Sequence, residues 1–153
     1  HLLDLCEKLD SVDTKNINML GVSRGGMMTY ETLREDRRIH KAVVVAGVAD
    51  CTMNYEERED MRSLLTELIG GTPEQLPEEY SRRSAVEWAD EINTPLLVFH
   101  TTGDDKVSIK QVDKLVKQLK KYQKDYEYVT FESNIHGDLR KTDVEKIRKW
   151  LQT

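Results

Sequence analysis

Two apolar rhythms alternate along this chain. Residues 17–22, 41–48, 95–100 and 126–131 are short, nearly continuous apolar runs, and each reads as a strand. After Lys41, the run 41–48 shows no polar alternation, the pattern of a strand buried on both faces of a parallel sheet. Between these runs the apolar residues recur every three or four positions, as on one face of a helix. The spacing predicts helices over 25–36 and over 56–69, where Met61, Leu64, Leu65 and Leu68 share a face. It also predicts one after Ser108, with Ile109, Val112, Leu115, Val116 and Leu119, and a last one bearing Val144, Ile147, Trp150 and Leu151. Leu2, Leu3, Leu5, Cys6 and Leu9 form a helical stripe over 1–10 that no start signal precedes.

Local punctuation supports this division. Thr72-Pro73-Glu74-Gln75, Ser84-Ala85-Val86-Glu87, Ser108-Ile109-Lys110-Gln111 and Thr142-Asp143-Val144-Glu145 have the form of capping boxes, or in the last case of a cap, at helix starts. The second should open a short helix to about Ile92. Strands that alternate with helices need crossover connections. The expected class is therefore α/β, a three-layer α/β/α arrangement around a parallel sheet of about four strands. In such sheets the chemistry gathers beyond the carboxyl ends of the strands. With 153 residues, three prolines and no repeat or low-complexity tract, residues 1–153 read as one domain.

Charge narrows the partners. The net charge is −5 and no basic field stands out, which argues against nucleic acid. The lysines of 117–124 read as the solvated face of a helix. No apolar run is long enough to span a membrane, so no membrane partner is expected. Cys6 and Cys51 cannot make a disulfide framework, which favours a reducing, cytoplasmic setting over secretion while leaving the compartment open. Neither cysteine has a partner at metal-ligand spacing, so no metal or cofactor is expected.

The candidate chemistry follows the first strand. Gly21-Val22-Ser23-Arg24-Gly25-Gly26 is a G-x-S-x-G motif between a strand and a helix. A serine there sits on a tight turn that points its hydroxyl out of the sheet, and flanking glycines remove Cβ atoms that would collide. The Arg24 backbone N–H, at the helix N-terminus, is placed to hold an oxyanion. Such a turn could by itself be a phosphate loop, but an acid and a base follow in the right places. Asp104 and Asp105 lie just past the third strand, and His136 just past the fourth. The order Ser, Asp, His is that of an α/β-hydrolase triad: Ser23 as nucleophile, His136 as general base, and one of the two acids to orient the imidazole. Of the other histidines, His1 is terminal, His40 lies in a basic stretch and His100 ends a strand.

From Asn16 onward the sequence resembles the carboxyl half of the catalytic domain of prolyl oligopeptidase family hydrolases. The resemblance rests on G-V-S-R-G-G at 21–26, D-D-K-V at 104–107 and I-H-G at 135–137. It implies the α/β-hydrolase fold and, as the triad acid, the first residue of the D-D-x-V pattern, Asp104. It also implies that the loop 48–55, from Val48 to Tyr55, helps form the substrate pocket. The family usually has His-Gly ahead of the acid loop, whereas His100 here precedes Thr101. The expected activity is that of a serine hydrolase that cleaves a peptide, or an ester, through an acyl-enzyme. A carboxylesterase of the same fold, or an idle binding and assembly module, are the alternatives. Such a sheet has about eight strands, and here the serine falls only 23 residues in. The chain therefore reads as the last four strands, truncated at its N-terminus. The serine strand would then be an open edge through which copies could associate.

Overall fold

The computed structural model describes residues 2–152. Four strands form one sheet: β1 (Ile17–Val22), β2 (Ile39–Val45), β3 (Leu96–Thr101) and β4 (Tyr126–Phe131). They lie in sequence order and every neighbouring pair is parallel. Seven α-helices accompany them among the described residues: α1 (Leu2–Cys6), α2 (Arg24–Glu35), α3 (Cys51–Glu57), α4 (Glu59–Ile69), α5 (Pro77–Arg82), α6 (Ile109–Lys121) and α7 (Lys141–Gln152). Two short 3₁₀ turns, Ala85–Glu87 and Ala89–Glu91, lead into β3.

The pleat sorts the sheet's side chains into two layers. Ala42 and Val44 of β2 and Leu96 and Val98 of β3 face a core with Tyr30 and Leu33 of α2 and Val112, Leu115 and Leu119 of α6. Val43, Val45, Leu97 and Phe99 face the other way and pack with Ile147, Trp150 and Leu151 of α7. The eight residues of β2 and β3 named here are at most 1% exposed. Each valine, leucine or phenylalanine so buried contributes roughly 1.5–3 kcal/mol. These two central strands are what hold the loops beyond their carboxyl ends in place.

The α7 layer is narrower than the sheet. At the β1 edge Leu20 and Val22 remain 48% and 46% exposed, although Asn18 reaches the Leu151 carbonyl at 2.9 Å. β1 is thus an edge strand with an uncovered face.

Several local expectations are corrected. The apolar run after Lys41 stops being a strand at Val45, because Ala46 turns to φ 49°. The segment expected as a pocket loop is largely helix α3, capped by Asp50, whose Oδ1 accepts from the Met53 N–H at 3.0 Å. The helix expected over 56–69 is divided at Arg58 into α3 and α4. The Thr72–Gln75 box forms both of its hydrogen bonds, yet closes a single turn before α5 begins at Pro77. Ser84 opens a 3₁₀ turn, not an α-helix, because its hydroxyl bonds the Tyr80 carbonyl and the Cys51 N–H instead of capping. Gln111 turns away from its box to accept from the Asp50 N–H at 3.3 Å. The last helix starts two residues early, at Lys141 where the Thr142 cap predicted Asp143, since Asp143 reaches back to the Arg140 N–H at 2.9 Å. The helix expected over 1–10 ends at Cys6, and its first residue lies outside the described residues.

Candidate active site

Ser23 sits between β1 and α2 with φ 57° and ψ −120°, a conformation that costs a non-glycine residue about 1–3 kcal/mol. Three backbone bonds over-determine it. The Ser23 N–H donates to the Val45 carbonyl at 2.9 Å, and the Ser23 carbonyl accepts from Gly26 at 2.9 Å and Met27 at 3.3 Å. A serine at a helix N-cap normally spends its hydroxyl on the first-turn N–H groups. This one makes no side-chain cap bond. The first two N–H groups of α2, those of Arg24 and Gly25, have no acceptor within the helix and lie at the positive end of its dipole.

Two glycines allow the close approach, but only one of them is in the pattern expected. A Cβ on Gly21 would fall inside the Gly25 carbonyl and the Thr29 hydroxyl. A Cβ on Gly25 would meet nothing within 4 Å. The second necessary glycine is Gly26, where a Cβ would lie 2.6 Å from Gly47 Cα and 2.7 Å from Val44 Cγ1. The contact that fixes α2 against the sheet is therefore one residue later than G-x-S-x-G requires.

Asp104 and His136 meet beyond the ends of β3 and β4. His136 Nδ1 lies 2.9 and 2.7 Å from the two Asp104 oxygens. A carboxylate only accepts, so Nδ1 carries a proton, and in the neutral ring Nε2 is the nitrogen with the lone pair. The Asp104 side chain is fully buried, and its Oδ1 also accepts from the Lys106 N–H at 2.9 Å and the Val107 N–H at 3.0 Å. The neighbouring acid, Asp105, is 66% exposed and pairs with Lys106. The two loops are laced together by Thr102 N–H to Phe131 O at 3.0 Å, Gly103 N–H to Ser133 O at 3.0 Å and Thr101 Oγ1 to Ile135 O at 3.1 Å. On the other side Gly137 packs against Val22, next to Ser23, with its Cβ position 3.4 Å from Val22 Cγ1.

His100, which the sequence placed only at the end of a strand, is a further residue of this cluster. Its Nε2 donates to the Val107 carbonyl at 2.8 Å and lies 3.5 Å from Asp104 Oδ2. The bond closes the acid loop across its base. Burial pushes the His100 pKa below the usual imidazole value, so the ring is neutral at neutral pH.

Ser23 and Arg24 also line a cavity of about 190 Å³. Val48, the first residue of the segment 48–55, lines it. Tyr55 does not line it: its ring packs edge-on against Tyr80 at 5.7 Å. The walls that sequence reasoning missed come from α3 and α4, namely Cys51, Asn54, Arg58 and the apolar stripe of α4. That stripe was legible by its period; its target was not. Among the described residues no group of three His, Cys, Asp or Glu side chains could hold a metal ion.

Residues 3–153 match the model of the prolyl oligopeptidase family. The chain belongs to this family. Its relatives are peptidases: it is 32% identical over 152 residues to the uncharacterized peptidase YtmA of Bacillus subtilis, covering 97% of this chain and 59% of YtmA. It is 27% identical over 127 residues to YuxL of the same organism, covering 82% of this chain and 19% of that one. The chain thus spans about three-fifths of YtmA and a smaller share of YuxL. Among solved structures, a puromycin-hydrolyzing peptidase of Mycobacterium tuberculosis superposes with a TM-score of 0.87 at 24% identity, over 98% of this chain and 23% of that one. An acylaminoacyl peptidase of Pyrococcus horikoshii gives 0.79 at 20% identity, over 99% and 24%. The prolyl oligopeptidase family sheet is that of an α/β-hydrolase, and the four parallel strands here correspond to the carboxyl half of that fold.

Proposed function

We propose that the protein is a serine peptidase that cleaves a peptide bond through an acyl-enzyme on Ser23. His136 Nε2 takes the Ser23 proton as the hydroxyl attacks the carbonyl carbon, and then gives it to the leaving amine. Asp104 holds the imidazole in the reactive tautomer and stabilises its charged form. The Arg24 N–H donates a hydrogen bond to the developing oxyanion, a contribution worth roughly 10²–10³ in turnover. Water then attacks the ester, with His136 again as base. The observation that carries this reading is the buried Asp104 carboxylate bonded through both oxygens to His136 Nδ1. The ester-cleaving alternative uses the same three residues, and relative rates on a peptide and its matched ester separate the two.

The test is labelling with a fluorophosphonate, which reacts only with an activated serine. The protein is expected to be labelled at Ser23, and Ser23→Ala to be silent. Equal labelling of both proteins would remove Ser23 from the mechanism.

The β1 edge favours an assembly role as well. We propose that two copies associate through it, since among the described residues β1 has a sheet partner on one side only and Leu20 and Val22 are half-exposed beside it. Sedimentation equilibrium should show a dimer that Leu20→Lys weakens. A stable monomer at micromolar concentration would rule this out.

A further inference from the structure

The peptide groups that hold the Asp104 carboxylate are themselves held. Asp104 Oδ1 accepts from the Lys106 and Val107 N–H groups. The carbonyls of the same two residues each accept from a side chain outside the loop. His100 Nε2 donates to the Val107 carbonyl at 2.8 Å, and Arg58 Nη1 donates to the Lys106 carbonyl at 2.8 Å.

The second of these contacts bears on the charge of the site. The Lys106 carbonyl and the Val107 N–H are the two ends of one peptide group. A cation bonded to the oxygen draws electron density from the nitrogen, so its N–H donates more strongly, and hydrogen bonds in such a chain reinforce one another. The chain runs from the Arg58 guanidinium through this peptide to Asp104 Oδ1, which lies 2.9 Å from His136 Nδ1. Among the described residues no arginine or lysine side chain pairs directly with the buried Asp104 carboxylate.

The local structure directs Arg58 to this task. It stands at the break between α3 and α4, where φ −114° and ψ 78° take it out of the helix. Its N–H donates to the Asn54 carbonyl at 3.1 Å and its carbonyl accepts from Met61 at 2.9 Å, so the break is fixed on both sides. Nε and Nη2 fork onto the two Asp60 oxygens at 2.8 and 2.7 Å, which leaves Nη1 for the acid loop. No residue of α4 is buried, so core packing does not account for this arrangement.

We propose that Arg58 is a positioning residue of the triad: its guanidinium, bonded to the Lys106 carbonyl, fixes and polarises the peptide group that holds Asp104 against His136. The inference rests on the reading of Ser23 as nucleophile and adds a residue that acts on the reaction through Asp104.

Fluorophosphonate labelling rates of the parent protein, Arg58→Lys, Arg58→Gln and Arg58→Met test this at neutral pH, each at a temperature where unfolding curves show it folded. Arg58→Gln and Arg58→Met should label about ten-fold more slowly, the effect of one hydrogen bond to a charged group. Arg58→Lys keeps a cationic donor and should restore most of the rate. The ¹H resonance of the proton on His136 Nδ1, far downfield when shared with a carboxylate, reports the Asp104 bond without any turnover. It should shift in Arg58→Gln and Arg58→Met and stay in place in Arg58→Lys. A role confined to anchoring α4 would lower the melting temperature and leave both the rates and the resonance unchanged. Labelling of Arg58→Gln and Arg58→Met at the parent rate, a loss in Arg58→Lys equal to theirs, or an unmoved resonance overturns the inference. Absence of labelling in the parent protein would instead overturn the proposed function.

Discussion

Asp104→Asn is the substitution whose effect the geometry defines most sharply. The amide oxygen can replace Oδ1 and keep the bonds from the Lys106 and Val107 N–H groups, at 2.9 and 3.0 Å. The amide NH₂ then takes the place of Oδ2, which lies 2.7 Å from His136 Nδ1 and 3.5 Å from His100 Nε2. An NH₂ only donates, so at the shorter of the two contacts His136 accepts at Nδ1 and carries its proton on Nε2, although the amide oxygen remains 2.9 Å from Nδ1. That is the wrong tautomer for a base. The corresponding loss in a serine triad is about 10⁴ in turnover, or roughly 5.5 kcal/mol of transition-state stabilisation. The loop bonds survive, so the melting temperature should change little by comparison. The assay is the rate of fluorophosphonate labelling at neutral pH, with thermal unfolding measured in parallel. Asp105→Asn is the control, since that side chain is 66% exposed and paired with the equally surface-lying Lys106, and it should label within about two-fold of the parent, as surface changes usually do. A folded Asp104→Asn protein that labels within ten-fold of the parent would refute the reasoning, as would an equal loss in Asp105→Asn.

Three further outcomes are expected. Gly26→Val should destabilise the fold by about 1–3 kcal/mol, because its Cβ would press on Gly47 Cα and Val44 Cγ1, whereas Gly25→Ala should be neutral or stabilising by up to about 1 kcal/mol; urea midpoints compare them, and equal shifts would contradict the packing at α2. Tyr30→Phe should stabilise by about 1 kcal/mol, since the Tyr30 hydroxyl is fully buried without a partner; a loss of stability in the same measurement would show that the hydroxyl is satisfied. Stability should fall as pH drops below the usual imidazole value of about 6.5, because the folded His100 binds its second proton less readily than the unfolded chain does; unfolding at pH 5 and 7.5 should show a drop that shrinks in His100→Gln, and an unchanged drop would assign it to other groups.

The periodic elements were legible because they depend on local spacing. β1 and β4 fall on their expected residues, and α6 carries its apolar stripe on the face the period assigned. Elements that depend on one side chain choosing between partners were not legible. Ser84 and Gln111 have the form of capping residues, yet both bond across to the segment around Asp50 and Cys51. Asp50 caps α3 with no acidic or amide residue at the third helical position, so only half of the usual signature was present.

Sequence alone determined the alternation of strands and helices, the parallel sheet that alternation requires, and the three stretches that carry the candidate chemistry. Those features are set by nearest neighbours along the chain. Tertiary structure decided which surfaces meet. It put the Asp104 carboxylate, not that of Asp105, against His136, because β3 and β4 end side by side and only the first acid turns inward. It made Gly26 the contact glycine, because Gly47 approaches from a different strand's end. It folded α4 back over Ser23, turning an amphipathic stripe into a cavity wall. Each of these joins residues far apart in sequence, and no local pattern encodes the distance between them.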